Sequence, residues 1–187
     1  SHPIAINGAG RAPQGASIEW YRDQGFTAVP EEGAHAVVVP GAVAAWCKLV
    51  SDHGRKDIGE ILAPAIRYAE EGYVITPRVA WDWQKLEPRL GGDEVARELL
   101  LVNRKAHQLG ARHAQPKLGN TLRRIALDGA RAFYTGPVAE DLIARLQALG
   151  GHHTLEDFAA VEADYVQPIS TAYRGYQVYQ CPPNGQG

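Results

Sequence analysis

The sequence predicts one mostly helical domain over residues 1–187, with a few short strands near its two ends. Apolar residues recur at helical spacing between about residues 14 and 160, and start and stop signals separate the segments. β-prone runs lie at about residues 33–39 and 167–181. The length is enough for one ordinary domain with its own apolar core.

The helices are predicted from their end signals. Starts carry Thr-Pro, Thr-Gly-Pro, Asn, or the spacing of a capping box, in which side chains satisfy free backbone N–H groups. Stops carry Gly, which adopts the left-handed conformation without penalty. In chain order, the predicted helices begin near Ala16, Ala42, Asp57, Thr76, Asn120, Thr135 and Thr154. The predicted stops are Gly25, Gly54, Gly72, Gly129 and Gly150. Residues 94–108 have mixed periodicity, and a helix there is one option.

Two regions favour extended structure. Residues 34–39 form a short β-branched run that ends at Pro40, so a strand or extended segment is expected there. Near the other end, two β-prone runs flank Arg174 and Gly175, which predicts a hairpin. The turn-rich residues 182–187 then close the chain, and we expect a truncated end.

Composition argues against two classes of partner. The formal net charge is −2 and the basic residues are spread along the chain, so no nucleic-acid surface is predicted. No apolar run reaches the roughly 20 residues that span a bilayer, so no membrane partner is expected. No signal peptide is visible, and both a cytoplasmic and a periplasmic location stay open.

The residues alone show no complete catalytic set. The seven histidines lack metal-ligand spacing, so surface or capping roles are expected, with no metal and no cofactor. The stretch Asn-Gly-Ala-Gly-Arg-Ala at residues 7–12 lacks the third Gly of a dinucleotide fingerprint and is interpreted as a turn with positive φ angles. No serine lies in a nucleophile elbow. The predicted list of catalytic residues is therefore empty.

Several motifs together resemble the γ-glutamyltransferase family of N-terminal-nucleophile hydrolases. They occur in the expected order over nearly the whole chain: Gly-Arg-Ala-Pro at residues 10–13, Val-Pro-Gly-Ala-Val-Ala-Ala-Trp at 39–46, Leu-Ala-Pro-Ala-Ile at 62–66, Ala-Glu-Glu-Gly at 69–72, Gln-Pro at 115–116, Phe-Tyr-Thr-Gly at 133–136, Gly-Gly at 150–151, Thr-Leu-Glu-Asp at 154–157, Tyr-Arg-Gly-Tyr at 173–176 and Pro-Pro at 182–183.

The resemblance implies a helical cap part of a four-layer αββα sandwich, with this chain as part of a large subunit. Members of the family are made as one precursor that cuts itself and frees an N-terminal Thr on the small subunit. That Thr acts as nucleophile with its own amine as base. It would lie beyond Gly187, so the remaining small-subunit part of the precursor is the expected partner, and no Thr of this chain is the nucleophile. Both ends of the chain are expected to be incomplete.

The resemblance also points to one substrate-binding residue, Arg11. Transferases of γ-glutamyl groups carry an Arg three residues before the Ala-Pro pair, where it binds the donor's α-carboxylate. That position is Ala9 here, and the Arg stands at position 11 instead, as in the branch that contains oxamate hydrolases. Arg11 either binds a small substrate's carboxylate or forms a structural salt bridge.

The expected function is cleavage or transfer of an amide-linked acyl group, such as γ-glutamyl, by an enzyme of which this chain alone is inactive. The alternatives are hydrolysis of a small acid amide such as oxamate, and a non-catalytic helical binding module. Surfaces that normally face the missing half would leave an exposed apolar patch, so self-association is expected and a homo-oligomer stays open.

Overall fold

The computed structural model describes residues 3–184; Ser1, His2 and the predicted turn at residues 185–187 lie outside the described residues. Helices predominate. In chain order they are α1 Ile18–Asp23, α2 Ala42–His53, α3 Ile58–Glu71, α4 Pro77–Leu90, α5 Glu94–Leu100, α6 Pro116–Asp128, α7 Arg131–Tyr134, α8 Pro137–Ala148 and α9 Leu155–Ala159. The short strands are β1 Ala5–Asn7, β2 Tyr73–Val74, β3 Arg112–His113, β4 Asp164–Val166, β5 Ile169–Tyr173 and β6 Tyr176–Gln180.

The described chain divides into two compact units. One comprises residues 3–58 and 127–184, and the other comprises residues 59–126. In the first unit, β1 pairs antiparallel with β4, and Asn7 stands opposite Asp164 in the register. Its core is built around Phe158, Ile143 and Val43, which are buried because the apolar faces of their helices pack together.

A buried tyrosine joins the start of α2 to α7 in the first unit. The hydroxyl of Tyr134 donates a hydrogen bond to the carbonyl oxygen of Pro40 at 2.7 Å and accepts one from the N–H of Ala44 at 3.1 Å. Because no side chain caps α2 at Gly41, this hydroxyl satisfies a backbone donor that the helix start would leave free. Burial raises the pKa of the Tyr134 hydroxyl, which therefore stays protonated.

The second unit packs α3, α4 and α6 with the short pair β2 and β3. Ile75 and Ile125 are among its most buried residues. His107 and His113 are buried as well: Nδ1 of His113 lies 3.1 Å from Nε2 of His107, and both rings contact Trp83. Burial lowers the pKa of both imidazoles, and the neighbouring His107 further lowers that of His113, so both favour the neutral form.

Most predicted helix starts are confirmed. Helices begin at Pro77 and Pro137, directly after the predicted Thr-Pro and Thr-Gly-Pro signals, and Thr154 and Asp157 form the predicted capping box. Within residues 94–108, only Glu94–Leu100 is helical. The hairpin is also confirmed, since β5 pairs with β6 from Ile169–Gln180 to Tyr173–Tyr176.

Three expectations were wrong. The strand option for residues 33–39 fails: Ala34–Ala36 is a 3-10 turn, the backbone at Val37 is extended, and the N–H of Val39 bonds to the carbonyl of Arg11 instead of a strand ladder. Asn120 starts no helix, because α6 already begins at Pro116. The expected surface location of the histidines is wrong for His107, His113 and His153, which are buried.

No helix within residues 3–184 has the length and apolar character needed to cross a bilayer.

Candidate functional site

The candidate site is built on the segment after β1, residues 7–13, called here the Arg11 loop. The side chain of Asn7 holds its first turn, since Oδ1 accepts a hydrogen bond from the N–H of Ala9 at 3.0 Å. The Asn7 amide also exchanges hydrogen bonds with that of Asn184, at 3.2 and 3.3 Å. The loop therefore leaves the β1–β4 pair in a defined direction.

Close backbone packing fixes the middle of the Arg11 loop. A Cβ atom at Gly10 would overlap the carbonyl oxygen of Val39 and lie 2.7 Å from its carbonyl carbon. A Cβ at Gly41 would overlap the carbonyl oxygen of Gly8, and one at Gly8 would lie 2.5 Å from Cβ of Ala45. The loop thus lies flat against the start of α2, where only glycine leaves room for the approach of two backbones.

These contacts correct the interpretation of the glycines in the loop. Neither Gly8 nor Gly10 has a positive φ angle, so the chain does not need glycine there for a left-handed turn. It needs glycine because the loop and residues 39–41 touch. The hydrogen bond from the N–H of Val39 to the carbonyl of Arg11, 2.9 Å long, ties the two segments at the same place.

Arg11 projects from this fixed backbone into solvent. Its side chain is 92% exposed, and Nη2 lies 3.9 Å from Oδ2 of Asp164. A cavity of about 180 Å³ adjoins the loop. Its lining residues are Ala9, Gly10, Arg11, Ala12, Gln14, Val39, Asp157, Ala160, Val161 and Glu162. This space, called here the Arg11 cavity, can hold a small molecule of the size of a short acid amide.

Two carboxylates also line the Arg11 cavity. Asp157 is buried, and its oxygens accept hydrogen bonds from the N–H of Gln14 and from the N–H and hydroxyl of Thr154, all at 3.0 Å. Glu162 is exposed at the rim. Asp157 therefore serves the backbone around it, and Arg11 is the cation that faces the cavity.

The sequence identified Arg11 but not its acidic neighbours as site residues. Asp157 carried a signal for a helix cap and none for a cavity wall. Asp164 carried no signal, because the pairing of β1 with β4 brings together residues that are far apart in the chain.

Three threonine hydroxyls form hydrogen bonds within helices or at their ends. The hydroxyls of Thr121 and Thr135 donate to carbonyl oxygens four residues earlier, and Thr154 caps α9. These three threonines therefore have structural roles.

Among residues 3–184, no group of three or more His, Cys, Asp and Glu side chains is arranged to hold a metal ion.

Comparison with known proteins gives the family. The Gamma-glutamyltranspeptidase family model matches residues 1–187. The chain is 34% identical over 182 residues to the glutathione hydrolase-like YwrD proenzyme of Bacillus subtilis (strain 168), covering 97% of this chain and 34% of the relative. It is also 34% identical over 191 residues to the oxamate amidohydrolase proenzyme of Klebsiella pneumoniae, covering 99% of this chain and 36% of that relative.

A solved structure agrees with this result. The cephalosporin acylase from Bacillus halodurans matches with a TM-score of 0.90 and 36% identity, over 97% of this chain and 35% of that chain. The chain spans about a third of the length of these three relatives. The match confirms the expected fold class, a mostly helical part of an N-terminal-nucleophile hydrolase with a few short strands. The chain belongs to the gamma-glutamyltranspeptidase family.

Proposed function

We propose that this chain is part of a self-processing enzyme that cleaves or transfers an amide-linked acyl group. The two sequence relatives from Bacillus subtilis and Klebsiella pneumoniae are proenzymes, which supports a precursor that is cut into two subunits. In the proposed enzyme, the small subunit from the same precursor supplies an N-terminal Thr as nucleophile and its amine as base. This chain supplies a wall of the substrate site.

The main support for Arg11 as a substrate-binding residue is the exposure of its side chain. A structural salt bridge would hold the guanidinium at hydrogen-bond distance, about 2.7–2.9 Å, from its carboxylate. The 3.9 Å separation from Asp164, with both groups exposed, is worth only about 0–1 kcal/mol. Arg11 therefore contributes little to folding, and its five N–H donors stay available to a carboxylate that enters the Arg11 cavity.

The position of the Arg favours a small acid amide as the substrate. The γ-glutamyl-binding position three residues before Ala12 is Ala9, and the loop contacts hold the backbone of residue 10 against Val39. The guanidinium is therefore presented two residues later than in γ-glutamyl transferases. Of the two proposed donors, a γ-glutamyl amide and a short acid amide such as oxamate, this arrangement favours the second.

Substitution of Arg11 in the full-length gene product tests the proposal. Losing a charge-assisted contact of about 1.5–3 kcal/mol should raise KM for oxamate by roughly 10- to 100-fold in Arg11→Ala, with a smaller change in kcat. Arg131→Ala is the matched control, because Arg131 is 77% exposed and its Nη2 also lies 3.9 Å from a carboxylate, that of Asp128. Equal KM values for both variants, with either oxamate or a γ-glutamyl anilide, would refute the role of Arg11.

A further inference from the structure

We infer that Asp164 determines the charge of the ligand that the Arg11 cavity retains, disfavouring a dianionic product more than a monoanionic substrate. The inference rests on the proposed role of Arg11 as the carboxylate-binding residue. It assigns to Asp164 a specificity role that acts through electrostatic repulsion.

The backbone holds Asp164 beside the guanidinium. Asp164 begins β4 and pairs with Asn7, the residue that starts the Arg11 loop, so strand pairing fixes its distance from the loop. Its side chain is 59% exposed, and its Oδ2 atom lies 3.9 Å from Nη2 of Arg11. At this separation the carboxylate leaves the N–H donors of Arg11 unoccupied while its negative charge stays close to any ligand that binds them.

The two other charged side chains that line the Arg11 cavity besides Arg11 are acidic. They are Asp157 and Glu162, and Asp164 lies 3.9 Å from the guanidinium. A ligand carboxylate that bonds to Arg11 is therefore attracted by one cation and repelled by the acidic groups around it. Because the side chains of Arg11 and Asp164 are both largely exposed, the dielectric constant of bulk water applies, and for charges about 6 Å apart the repulsion from one carboxylate is about 0.7 kcal/mol, which weakens binding of each ligand charge roughly threefold.

Amide hydrolysis changes the ligand charge at this place. Water adds across the amide C–N bond: the C–O bond forms, the C–N bond breaks, and the nitrogen leaves as ammonia, which takes up the proton of the new acid. An acyl group that already carries one carboxylate leaves with two. Oxamate, with one negative charge, thus becomes oxalate, with two, plus ammonium. A γ-glutamyl donor also gains one carboxylate on hydrolysis, but its nitrogen leaves as an amine and its α-ammonium group keeps the net charge of the product at −1.

The charge change separates substrate from product. Asp164 repels the monoanion once and the dianion about twice as strongly, so it lowers product affinity more than substrate affinity. In Asp164→Asn, the side chain keeps its size and loses its charge. KM for oxamate should therefore fall about threefold, and the inhibition constant of oxalate should fall about tenfold.

The experiment compares KM for oxamate and the oxalate inhibition constant in the processed full-length protein. Asp128→Asn is the matched control, because Asp128 is 57% exposed and lies 3.9 Å from Arg131, and it should change neither constant. Calorimetric titration with oxalate gives a second readout that needs no turnover. Asp164→Ser replaces the Asn variant if the latter has a lowered melting temperature.

The outcomes separate this inference from the proposed function. Unchanged constants in Asp164→Asn, equal factors for oxamate and oxalate, or an increase in both would overturn the inference even where Arg11→Ala raises KM. If Arg11→Ala leaves KM unchanged, or the wild-type protein binds neither ligand, the proposed function fails and this inference fails with it. In Arg11→Ala, adding Asp164→Asn should still weaken the discrimination against oxalate, because the repulsion acts on the ligand directly.

Discussion

The contact between the Arg11 loop and residue 39 makes Gly10→Ala the most informative single substitution for the geometry of the site. The new Cβ would overlap the carbonyl oxygen of Val39, lie 2.7 Å from its carbonyl carbon and 3.0 Å from Cγ2 of Val38. Ordinary van der Waals contact begins at 3.4 Å, so the backbones must separate by at least 0.7 Å (3.4 − 2.7 Å) at the carbonyl carbon alone. That movement strains the 2.9 Å hydrogen bond between Val39 and Arg11.

The expected cost follows from these contacts. Overpacking costs about 1–3 kcal/mol and a lost backbone hydrogen bond about 1 kcal/mol. The lower backbone entropy of alanine in the unfolded chain returns about 0.4–1 kcal/mol. The free energy of unfolding should therefore fall by roughly 1–4 kcal/mol (the sum of these estimates), and KM for a carboxylate-bearing amide should rise because Arg11 moves with the loop.

Urea unfolding and KM for oxamate, both on the full-length gene product, measure the two effects. Gly92→Ala is the control, since its Cβ would meet only the carbonyl oxygen of Arg89 at 3.3 Å and its φ angle is not positive. If Gly10→Ala unfolds at the same urea concentration as Gly92→Ala and keeps the wild-type KM, the loop is not held against residue 39 and the reasoning is refuted.

Two further predictions concern the buried polar groups. Tyr134→Phe removes the hydroxyl that forms hydrogen bonds with Pro40 and Ala44. In urea titrations it should lower the free energy of unfolding by about 1–3 kcal/mol. The control Tyr68→Phe, at an exposed tyrosine, should change the free energy of unfolding little. Burial lowers the pKa values of His107 and His113 below 6.5 in the folded protein. As the pH falls, the unfolded chain therefore binds protons at these histidines before the folded chain does. The contribution of the two histidines to the free energy of unfolding should be complete above pH 6.5 and decrease below it towards the folded pKa values. Replacing both histidines by Gln should flatten that decrease between pH 7.5 and 5.5, and an unchanged slope would contradict the assignment.

The parts of the fold that could be predicted from sequence are those set by local chemistry. Proline fixes φ and lacks a donor, so a proline that directly follows a Thr or Thr-Gly start signal, as Pro77 and Pro137 do, predicts a first helical turn. The capping box at Thr154 works because both partners are three residues apart on the same turn. Arg174 and Gly175 take positive φ angles at the predicted hairpin turn, again a local property.

The failures arise where a distant segment decides the outcome. The β-branched run at residues 37–39 has no strand beside it; its last N–H bonds to Arg11 in the loop. His113 is buried against Trp83 and His107, and the sequence around His113 does not predict these contacts. The close packing at Gly8, Gly10 and Gly41 could not be predicted for the same reason, because the local sequence of one segment does not indicate that another segment approaches it closely.

The role of Arg11 could be predicted only in part from the sequence. The motif that contains it resembles a known family and identifies it as a candidate, but motif and spacing do not distinguish a carboxylate-binding residue from a structural salt bridge. The distance to Asp164 and the exposure of both side chains favour the first role. Those quantities depend on the pairing of β1 with β4.

We propose that this chain works as part of a self-processing amide hydrolase or acyl transferase whose nucleophile lies on a second subunit. Intact-mass analysis of the full-length gene product after incubation, with sequencing of the new N-terminus, tests it most directly. We expect two fragments, the smaller beginning with Thr and the larger containing this chain, and amide hydrolysis by the processed protein. A single uncut chain without amidase activity would contradict it.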